Sequence, residues 1–349
     1  MDMLKAISAL TTTPGVSGDE WLVGDAVAGY FREYTSDVWR DTAGNTCARI
    51  GDASKPTLLV MAHMDEIGMI VTAIEDNGML RVASVAGVDP RVLPGSEVLV
   101  MGCERVKAAV GALPPHLLKS GEENNAYKIE DLTCDTGFSP ERVKELVSVG
   151  DFVTFTPLEP LELKNNIIAG KTFDDRALVV AMIEVMDILK NYKLNCNVVF
   201  CASVQEERGS IGAEIGTYNV KPDMAIAIDV CHAPTPGTPQ FSTVPLEKVA
   251  VTVGSNIHPK MAKLIKESAS SQNIEIEVDA AMGHTGTDAW NIQTKIGGVP
   301  TGLISLPLRY MHTSVEEISL NTLKNCAKVI AGAAMSIGAD WEEKLCLDD

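Results

Sequence analysis

The apolar residues of this 349-residue chain form runs of strand length that alternate with helix-spaced segments. Residues 18–33 carry Trp21, Val27 and Phe31 at helical spacing, and the apolar run at 56–61 has the length of a strand. The later chain predicts helices at 175–190, 258–272 and 320–337, a helix start near Gly209, and strands at 196–204, 223–230, 274–278 and 300–305. Strands that alternate with helices predict an α/β fold with a mixed, mostly parallel sheet sandwiched by helices.

Residues 68–160 follow a different pattern. Short β-like runs at 69–74, 80–85, 97–101, 105–109 and 152–155 are separated by turn residues, with one amphipathic helix at about 139–148. Short strands with frequent turn signals predict a small all-β domain. We therefore predict one α/β domain, formed by 1–67 and 161–349, that is interrupted by a β-rich insert at 68–160.

The composition is that of an ordinary soluble globular protein, with 46% hydrophobic and 22% charged residues. A net charge of −18 argues against binding to nucleic acid, which requires a basic surface. The apolar runs are far shorter than the roughly 20 residues that a membrane span needs, and the first residues lack a secretory signal pattern. The eight cysteines have no C-x-x-C spacing, so we expect a cytoplasmic protein whose reduced thiols are buried.

Five polar stretches stand where a predicted strand ends or a helix begins, which is where open α/β sheets bind ligands. They are His63-Met64-Asp65-Glu66, Asp174-Asp175-Arg176, Glu206-Glu207-Arg208, Asp229 with His232, and the loop around His312. Each stretch alone has an ordinary explanation. The acids could end solvated strands, cap a helix or pair with Arg208, and the histidines could be polar surface residues.

Taken together, the stretches bring two histidines and at least three carboxylates to the strand ends of one sheet. Imidazole and carboxylate ligands suit divalent metal ions, and Cys231 is the only cysteine in the set, which disfavours a structural thiolate zinc site. The set is too large for one tetrahedral ion with an open position. It suits two ions, about 3.5–4 Å apart, that share one carboxylate.

In this order, the stretches resemble the co-catalytic metallo-aminopeptidases of the M42 family. That family includes tetrahedral (TET) and glutamyl aminopeptidases, and some members carry the label cellulase or endoglucanase M. The resemblance covers nearly the whole chain and extends to TPGVSG at 13–18, HMDEIG at 63–68, GDFV at 150–153, VQEE at 204–207, AIDV at 227–230, GTDA at 286–289 and PLRYMH at 307–312.

The resemblance implies a role for each matching residue. Asp174 would be the carboxylate shared by two divalent ions (Zn²⁺, with Co²⁺ or Mn²⁺ as alternatives), and its peptide bond to Asp175 would be cis. His63 and Asp229 would complete one metal site, and Glu207 and His312 the other. Glu206 would be the general base, and Asp65 would orient the imidazole of His63.

The resemblance also implies an architecture. The family has a zinc-peptidase-like α/β catalytic domain interrupted, after the first metal histidine, by a small barrel-like dimerisation domain. Its members act on peptide substrates and assemble as dimers or as tetrahedral dodecamers that enclose their active sites. We expect a homo-oligomer with no nucleic-acid or membrane partner.

Two segments depart from the family pattern. Cys231–Gly237 replaces a "GDTPG"-like sequence, and Gly283-His284-Thr285 replaces a glycine-rich run. Both segments are expected near the substrate, so His232 and His284 could bind an acidic side chain or could simply form walls and loops. Two other functions stay open: a related dinuclear metallohydrolase such as a deacylase or other amidase, and a non-catalytic binding or assembly protein.

Overall fold

The computed structural model describes residues 1–118, 121, 125–239 and 242–347. Its central sheet has eight strands in the order β1-β2-β12-β3-β13-β16-β14-β15. Their bounds are β1 (Val38–Arg40), β2 (Thr46–Ile50), β3 (Thr57–His63), β12 (Asn197–Ser203), β13 (Met224–His232), β14 (Val249–Gly254), β15 (Ile276–Ala281) and β16 (Thr301–Leu308). The pairs β12–β3, β3–β13, β13–β16 and β14–β15 are parallel, whereas β1–β2, β2–β12 and β14–β16 are antiparallel.

Helices cover both faces of this sheet because its central strands are apolar on both sides. Leu58, Val60 and Ala62 of β3 join the larger hydrophobic core, whereas Leu59 and Met61 face the smaller one. The helices are α1 (Met3–Thr11), α2 (Trp21–Phe31), α3 (Pro140–Leu146), α4 (Phe173–Leu189), α5 (Ile211–Val220), α6 (Pro259–Ser271), α7 (Asp288–Ile292), α8 (Leu320–Ser336) and α9 (Trp341–Leu345). α4 and α8 pack on the larger core, and α5 and α7 on the smaller.

Along the chain, the residues between β3 and β12 include a closed antiparallel barrel with the strand order β4-β5-β8-β7-β6-β9. Its strands are β4 (Gly68–Ile74), β5 (Leu80–Val85), β6 (Glu97–Met101), β7 (Arg105–Gly111), β8 (Thr133–Asp135) and β9 (Phe152–Phe155). Alternate residues of β7, namely Val106, Ala108 and Val110, point into the barrel core. The predicted fold class is therefore confirmed, including the β-rich barrel.

A small third sheet joins two distant parts of the chain, in the order β10 (Leu161–Glu162), β11 (Ile167–Gly170) and β17 (Glu316–Ser319). The register places Gly170 opposite Glu316. This pairing brings the segment that follows β11 next to the loop that precedes β17. The site described below lies at that junction.

The apolar pattern located most elements to within a few residues, but it missed α1, β14 and several short edge strands. The expectation of buried thiols holds for Cys47, Cys134, Cys196, Cys201 and Cys326. It is wrong for Cys103 and Cys346, which are exposed, and Cys231 is half-buried. In the described residues, no helix combines the length and apolar character needed to cross a membrane.

Candidate metal centre

Five side chains that are distant in sequence meet at the carboxyl-terminal edge of the central sheet. His63 ends β3, Asp229 lies in β13, Glu207 follows β12, His312 follows β16, and Asp174 lies at the start of α4. Their ligand atoms form two groups, each with its atoms within 4.8 Å of one another: His63 with Asp174 and Asp229, and Asp174 with Glu207 and His312. Asp174 is the member that the two groups share.

The carboxylate of Asp174 lies between the two histidines. Its Oδ1 is 3.0 Å from Nε2 of His63, and its Oδ2 is 3.4 Å from Nε2 of His312. Nε2 of His312 also lies 3.3 Å from Oε1 of Glu207. Each oxygen of Asp174 therefore faces a different histidine, which is the arrangement that a carboxylate shared by two cations requires.

The turn that presents Asp174 is irregular. The peptide bond between Asp174 and Asp175 is cis, as the resemblance implied, and the backbone angles of both residues are non-helical. Oδ2 of Asp175 accepts a hydrogen bond from the backbone N–H of His63 at 3.3 Å. The turn therefore contacts the end of β3 directly.

Asp65 is fully buried and connects three parts of the site. Its Oδ1 lies 3.4 Å from Nδ1 of His63 and accepts the backbone N–H of Glu206 at 3.0 Å. Its Oδ2 accepts the N–H of Glu207 at 3.2 Å and the hydroxyl of Ser17. Asp65 is thus placed to orient the imidazole of His63 so that Nε2 faces Asp174, and to hold the Glu206–Glu207 turn as well.

Glu206 lines the same cavity as the two groups and takes a different position from its neighbour Glu207. Its Oε1 accepts a hydrogen bond from the hydroxyl of Ser210 at 3.1 Å. Burial, with repulsion from Asp229 and other acids, raises the pKa of Glu206 to about 10. In the described residues, no ion pair joins Arg208 to Glu206 or Glu207. The alternative in which Arg208 neutralises one of these acids is therefore not observed.

The pKa shifts of the clustered side chains indicate whether the site suits bound cations. Burial raises the pKa of Asp229 well above its usual value, and repulsion from Asp174 adds to the shift. Burial works against the charged imidazole of His312, but its hydrogen bonds to Asp174 and Glu207 raise its pKa to about 11. The buried negative charge of this cluster therefore requires a compensating cation. Divalent metal ions would supply that compensation, so the donor set of imidazoles and carboxylates fits two metal ions.

Three further residues lie at the site, and the sequence alone assigns no role to any of them. The carboxylate of Glu316 accepts the backbone N–H of His312 at 3.0 Å and that of Asp174 at 3.2 Å. Oδ2 of Asp288 accepts the hydroxyl of Ser203 at 2.5 Å. In the sequence, Glu316 is marked only as one of two adjacent acids after His312, and Asp288 only as part of the GTDA motif. The third residue is Gly87, whose carbonyl oxygen faces the imidazole of His312 and which has no such signal.

Arg176 and the motif at 13–18 have a structural role. The guanidinium of Arg176 is fully buried and donates hydrogen bonds to the carbonyl oxygens of Met64 at 2.8 Å and Leu10 at 2.8 Å. It also lies 3.3 Å from Glu66, whose carboxylate pairs with Lys171 and accepts the N–H of Gly15 at 2.9 Å. This buried network ties α1 and the end of β3 to the start of α4.

The two additional histidines do not join the cluster. Nδ1 of His284 accepts the backbone N–H of Gly286 at 2.9 Å, and its ring packs on Trp290 with 4.4 Å between centroids. His232 is exposed at the end of β13. Both histidines line the cavity, and His284 also stabilises its own loop.

Replacing Gly87 by alanine is expected to weaken divalent-metal binding at the Glu207–His312 group by about 10–100-fold. The carbonyl of Gly87 faces Nδ1 of His312 at 3.1 Å and can only accept, so it directs Nε2 toward Asp174. A methyl group at Gly87 would collide with that imidazole. Metal titration against a competing chelator measures the change.

A matched control exists on the same barrel. At Gly111 an added methyl group would have no atom nearer than Oγ1 of Thr133, at 3.6 Å. Gly111→Ala is therefore expected to leave metal affinity unchanged. Equal affinities for both variants and the unsubstituted protein would contradict the role of Gly87.

The comparisons with known proteins agree over nearly the full chain. The family model described as M42 glutamyl aminopeptidase matches residues 44–329. A lysyl aminopeptidase from Pyrococcus furiosus is 33% identical over 332 residues, covering 93% of this chain and 94% of that protein. A solved TET aminopeptidase from a marine sediment archaeon of the Thaumarchaeota has a TM-score of 0.93 at 25% identity, covering 99% of both chains.

A second solved structure points the same way. The Pyrococcus horikoshii TET1 peptidase, described as able to assemble into a tetrahedron or a large octahedral shell, has a TM-score of 0.85 at 31% identity. The match covers 96% of this chain and 100% of that one. Fold, site and sequence thus agree, and the chain belongs to the M42 family of metal-dependent aminopeptidases, which are peptide hydrolases.

Proposed function

We propose that this chain is a dimetal aminopeptidase that hydrolyses the N-terminal residue from peptides. The observation that carries the proposal is the carboxylate of Asp174, whose two oxygens face His63 at 3.0 Å and His312 at 3.4 Å. A shared carboxylate between two imidazole-containing groups is the ligand pattern of a two-metal hydrolase.

The proposed ligands divide between two ions. His63 and Asp229 would hold one ion, Glu207 and His312 the other, and Asp174 both. Bound there, two divalent ions such as Zn²⁺, Co²⁺ or Mn²⁺ would lower the pKa of a water molecule and polarise the scissile carbonyl. Their binding would also compensate the repulsion among these buried carboxylates.

Glu206 is proposed as the residue that moves the proton. It would accept a proton from the attacking water and deliver it to the leaving amine. Burial and neighbouring acids raise its pKa to about 10, and dications bound beside it would lower that pKa and favour the carboxylate form that a base needs. Asp65 would position other residues of the site, since its oxygens contact the ring of His63 and accept the backbone N–H groups of Glu206 and Glu207.

Assembly is proposed from the relatives and from the barrel. The TET1 peptidase can assemble into a tetrahedron or a large octahedral shell, and we propose that this chain also forms a homo-oligomer, a dimer or a tetrahedral dodecamer. Exposed apolar side chains of the insert at 68–160, such as Leu113, Phe138 and Val149, fit a role for the barrel in dimerisation. The division into a catalytic domain (1–67 and 161–349) and this insert, and a cytoplasmic location, remain predictions.

The proposal predicts hydrolysis of aminoacyl-p-nitroanilides that carry a free α-amine. The same compounds with an acetylated amine are the matched control and are expected to remain intact. Dialysis against a chelator is expected to abolish the activity, and Zn²⁺, Co²⁺ or Mn²⁺ to restore it, because the acids and imidazoles alone cannot activate water to the same extent. Release of p-nitroaniline measures both effects.

Preferential hydrolysis of the N-acylated compounds would instead favour the related deacylase or amidase. Activity that persists after complete removal of metal would contradict the dimetal site. Failure to bind any divalent metal after reconstitution would favour a non-catalytic binding or assembly protein.

A further inference from the structure

The cavity at the candidate metal centre continues well beyond the metal ligands. It has a volume of about 400 Å³ and reaches across the face of the sheet to β14 and β15. A substrate whose scissile carbonyl lies at the cluster would place its N-terminal side chain in this extension. The chemistry of the extension therefore bears on which N-terminal residue is accepted.

Asp279 on β15 is the charged residue of this extension. Among the described residues that line the cavity, it is the only one with a formal charge outside the metal ligands and Glu206, and no lysine or arginine lines the wall. Asp279 is half-buried and has no hydrogen bond or ion pair within the described residues. Burial raises its pKa, and the nearby His232 opposes that shift. A carboxylate that is partly removed from water without a partner favours the approach of a cation.

Thr252 provides a second acceptor beside it. Register pairs Thr252 of β14 with Asp279 of β15, and both residues line the cavity. Thr252 is 1% exposed, and its Oγ1 has no hydrogen-bond partner among the described residues. A buried hydroxyl without a partner costs free energy unless a ligand satisfies it.

The apolar wall of the extension suits an aliphatic stem. Leu303, Val244 and Ala281 line the cavity together with Asp279 and Thr252. A lysine or arginine side chain has this combination of a methylene stem and a cationic end with several donors. An acidic side chain would face Asp279 with no fixed positive charge to bind it.

We propose that Asp279 and Thr252 bind the cationic end of the substrate's N-terminal side chain, so that the enzyme prefers peptides beginning with lysine or arginine. This inference rests on the proposed aminopeptidase function. Asp279 is then a specificity residue: its carboxylate accepts hydrogen bonds from the ammonium or guanidinium group, and the hydroxyl of Thr252 accepts another.

The test compares lysyl- and norleucyl-p-nitroanilide, because the two side chains share the same four-carbon stem and differ in the terminal ammonium group. The unsubstituted enzyme is expected to have a kcat/KM about tenfold or more higher for the lysyl compound, and to be poorest with the glutamyl compound. A preference for norleucine or glutamate would overturn the inference.

The variant Asp279→Asn is expected to lower kcat/KM for the lysyl compound about tenfold and to leave the norleucyl compound within about twofold. Glu275→Gln, which removes the same charge from an exposed position just before β15, is the matched control and should change neither. An equal loss on both substrates in Asp279→Asn would overturn the inference, since it would indicate contact with the α-amine or a change in the fold.

Calorimetry measures amino-acid binding without hydrolysis, so it tests the proposed pocket independently of the proposed aminopeptidase activity. L-lysine is expected to bind the metal-loaded protein about tenfold more tightly than L-norleucine, and Asp279→Asn to remove that difference. Binding selectivity without hydrolysis of any free-amine substrate would contradict the aminopeptidase and support the proposed pocket for a basic side chain. Equal binding of the two amino acids would overturn the pocket, whatever the activity.

Discussion

Replacing Glu206 by glutamine is expected to lower kcat for aminoacyl-p-nitroanilide hydrolysis by about 10²–10⁴-fold, the usual contribution of a positioned general base. Glutamine has nearly the same shape and cannot accept the proton from water. Because Glu206 belongs to neither group of candidate metal ligands, the variant should still bind two ions per chain. Kinetics in the presence of Zn²⁺, Co²⁺ or Mn²⁺, with metal content measured on the same samples, check both statements.

Glu214→Gln is the matched control for this variant. Glu214 is an exposed glutamate on α5 whose carboxylate pairs with Lys295, so its loss should leave kcat unchanged. Undiminished activity of Glu206→Gln would remove Glu206 from its assigned role. Loss of metal together with activity would instead make Glu206 a ligand.

Replacing Asp174 by alanine is expected to abolish activity and to weaken binding of both metal ions. The loss should exceed the roughly 100-fold that removal of an outer hydrogen-bond partner typically costs, because Asp174 belongs to both groups. Each histidine would also lose the carboxylate oxygen that faces its Nε2, at 3.0 Å for His63 and 3.4 Å for His312. Metal content after dialysis measures the effect.

Asp229→Ala provides the comparison within the same site. Asp229 belongs to one group only, so this variant should weaken one ion and retain the other. Circular dichroism of both variants, compared with the unsubstituted protein, separates metal loss from unfolding. Two ions retained by Asp174→Ala would contradict the shared carboxylate.

Much of the site could be predicted because its chemistry is local in the sequence. His63, Asp174, Glu207 and Asp229 each stand at the end of an apolar strand or the beginning of a helix, where the period of the pattern is easy to read. Parallel strands then place those ends on one edge of the sheet. The same pattern separated the barrel from the α/β fold, since short strands and turn residues differ from helix-spaced segments.

Other features depend on contacts between distant parts of the chain. β14 is an apolar run that has the pattern of a strand, but its parallel pairing with β15 and its antiparallel pairing with β16 do not follow from the local sequence. Gly87 approaches His312 across 225 positions, and Glu316 is opposite Gly170 only because β11 pairs with β17. A glycine carbonyl or a single glutamate has no distinctive neighbours in the sequence, so such contacts follow from packing alone.

The sequence by itself determined the fold class, the candidate ligand residues and the two-acid turn at Glu206 and Glu207, because apolar periodicity and strand-end chemistry are short-range properties. Only the tertiary structure decided how these groups meet. It placed Asp174 between two histidines and Asp65 beneath the Glu206–Glu207 turn, and it set Asp279 beside Thr252 at the far end of the cavity. The physical reason is that the distances between side chains depend on strand order and register, which arise from the packing of the whole chain.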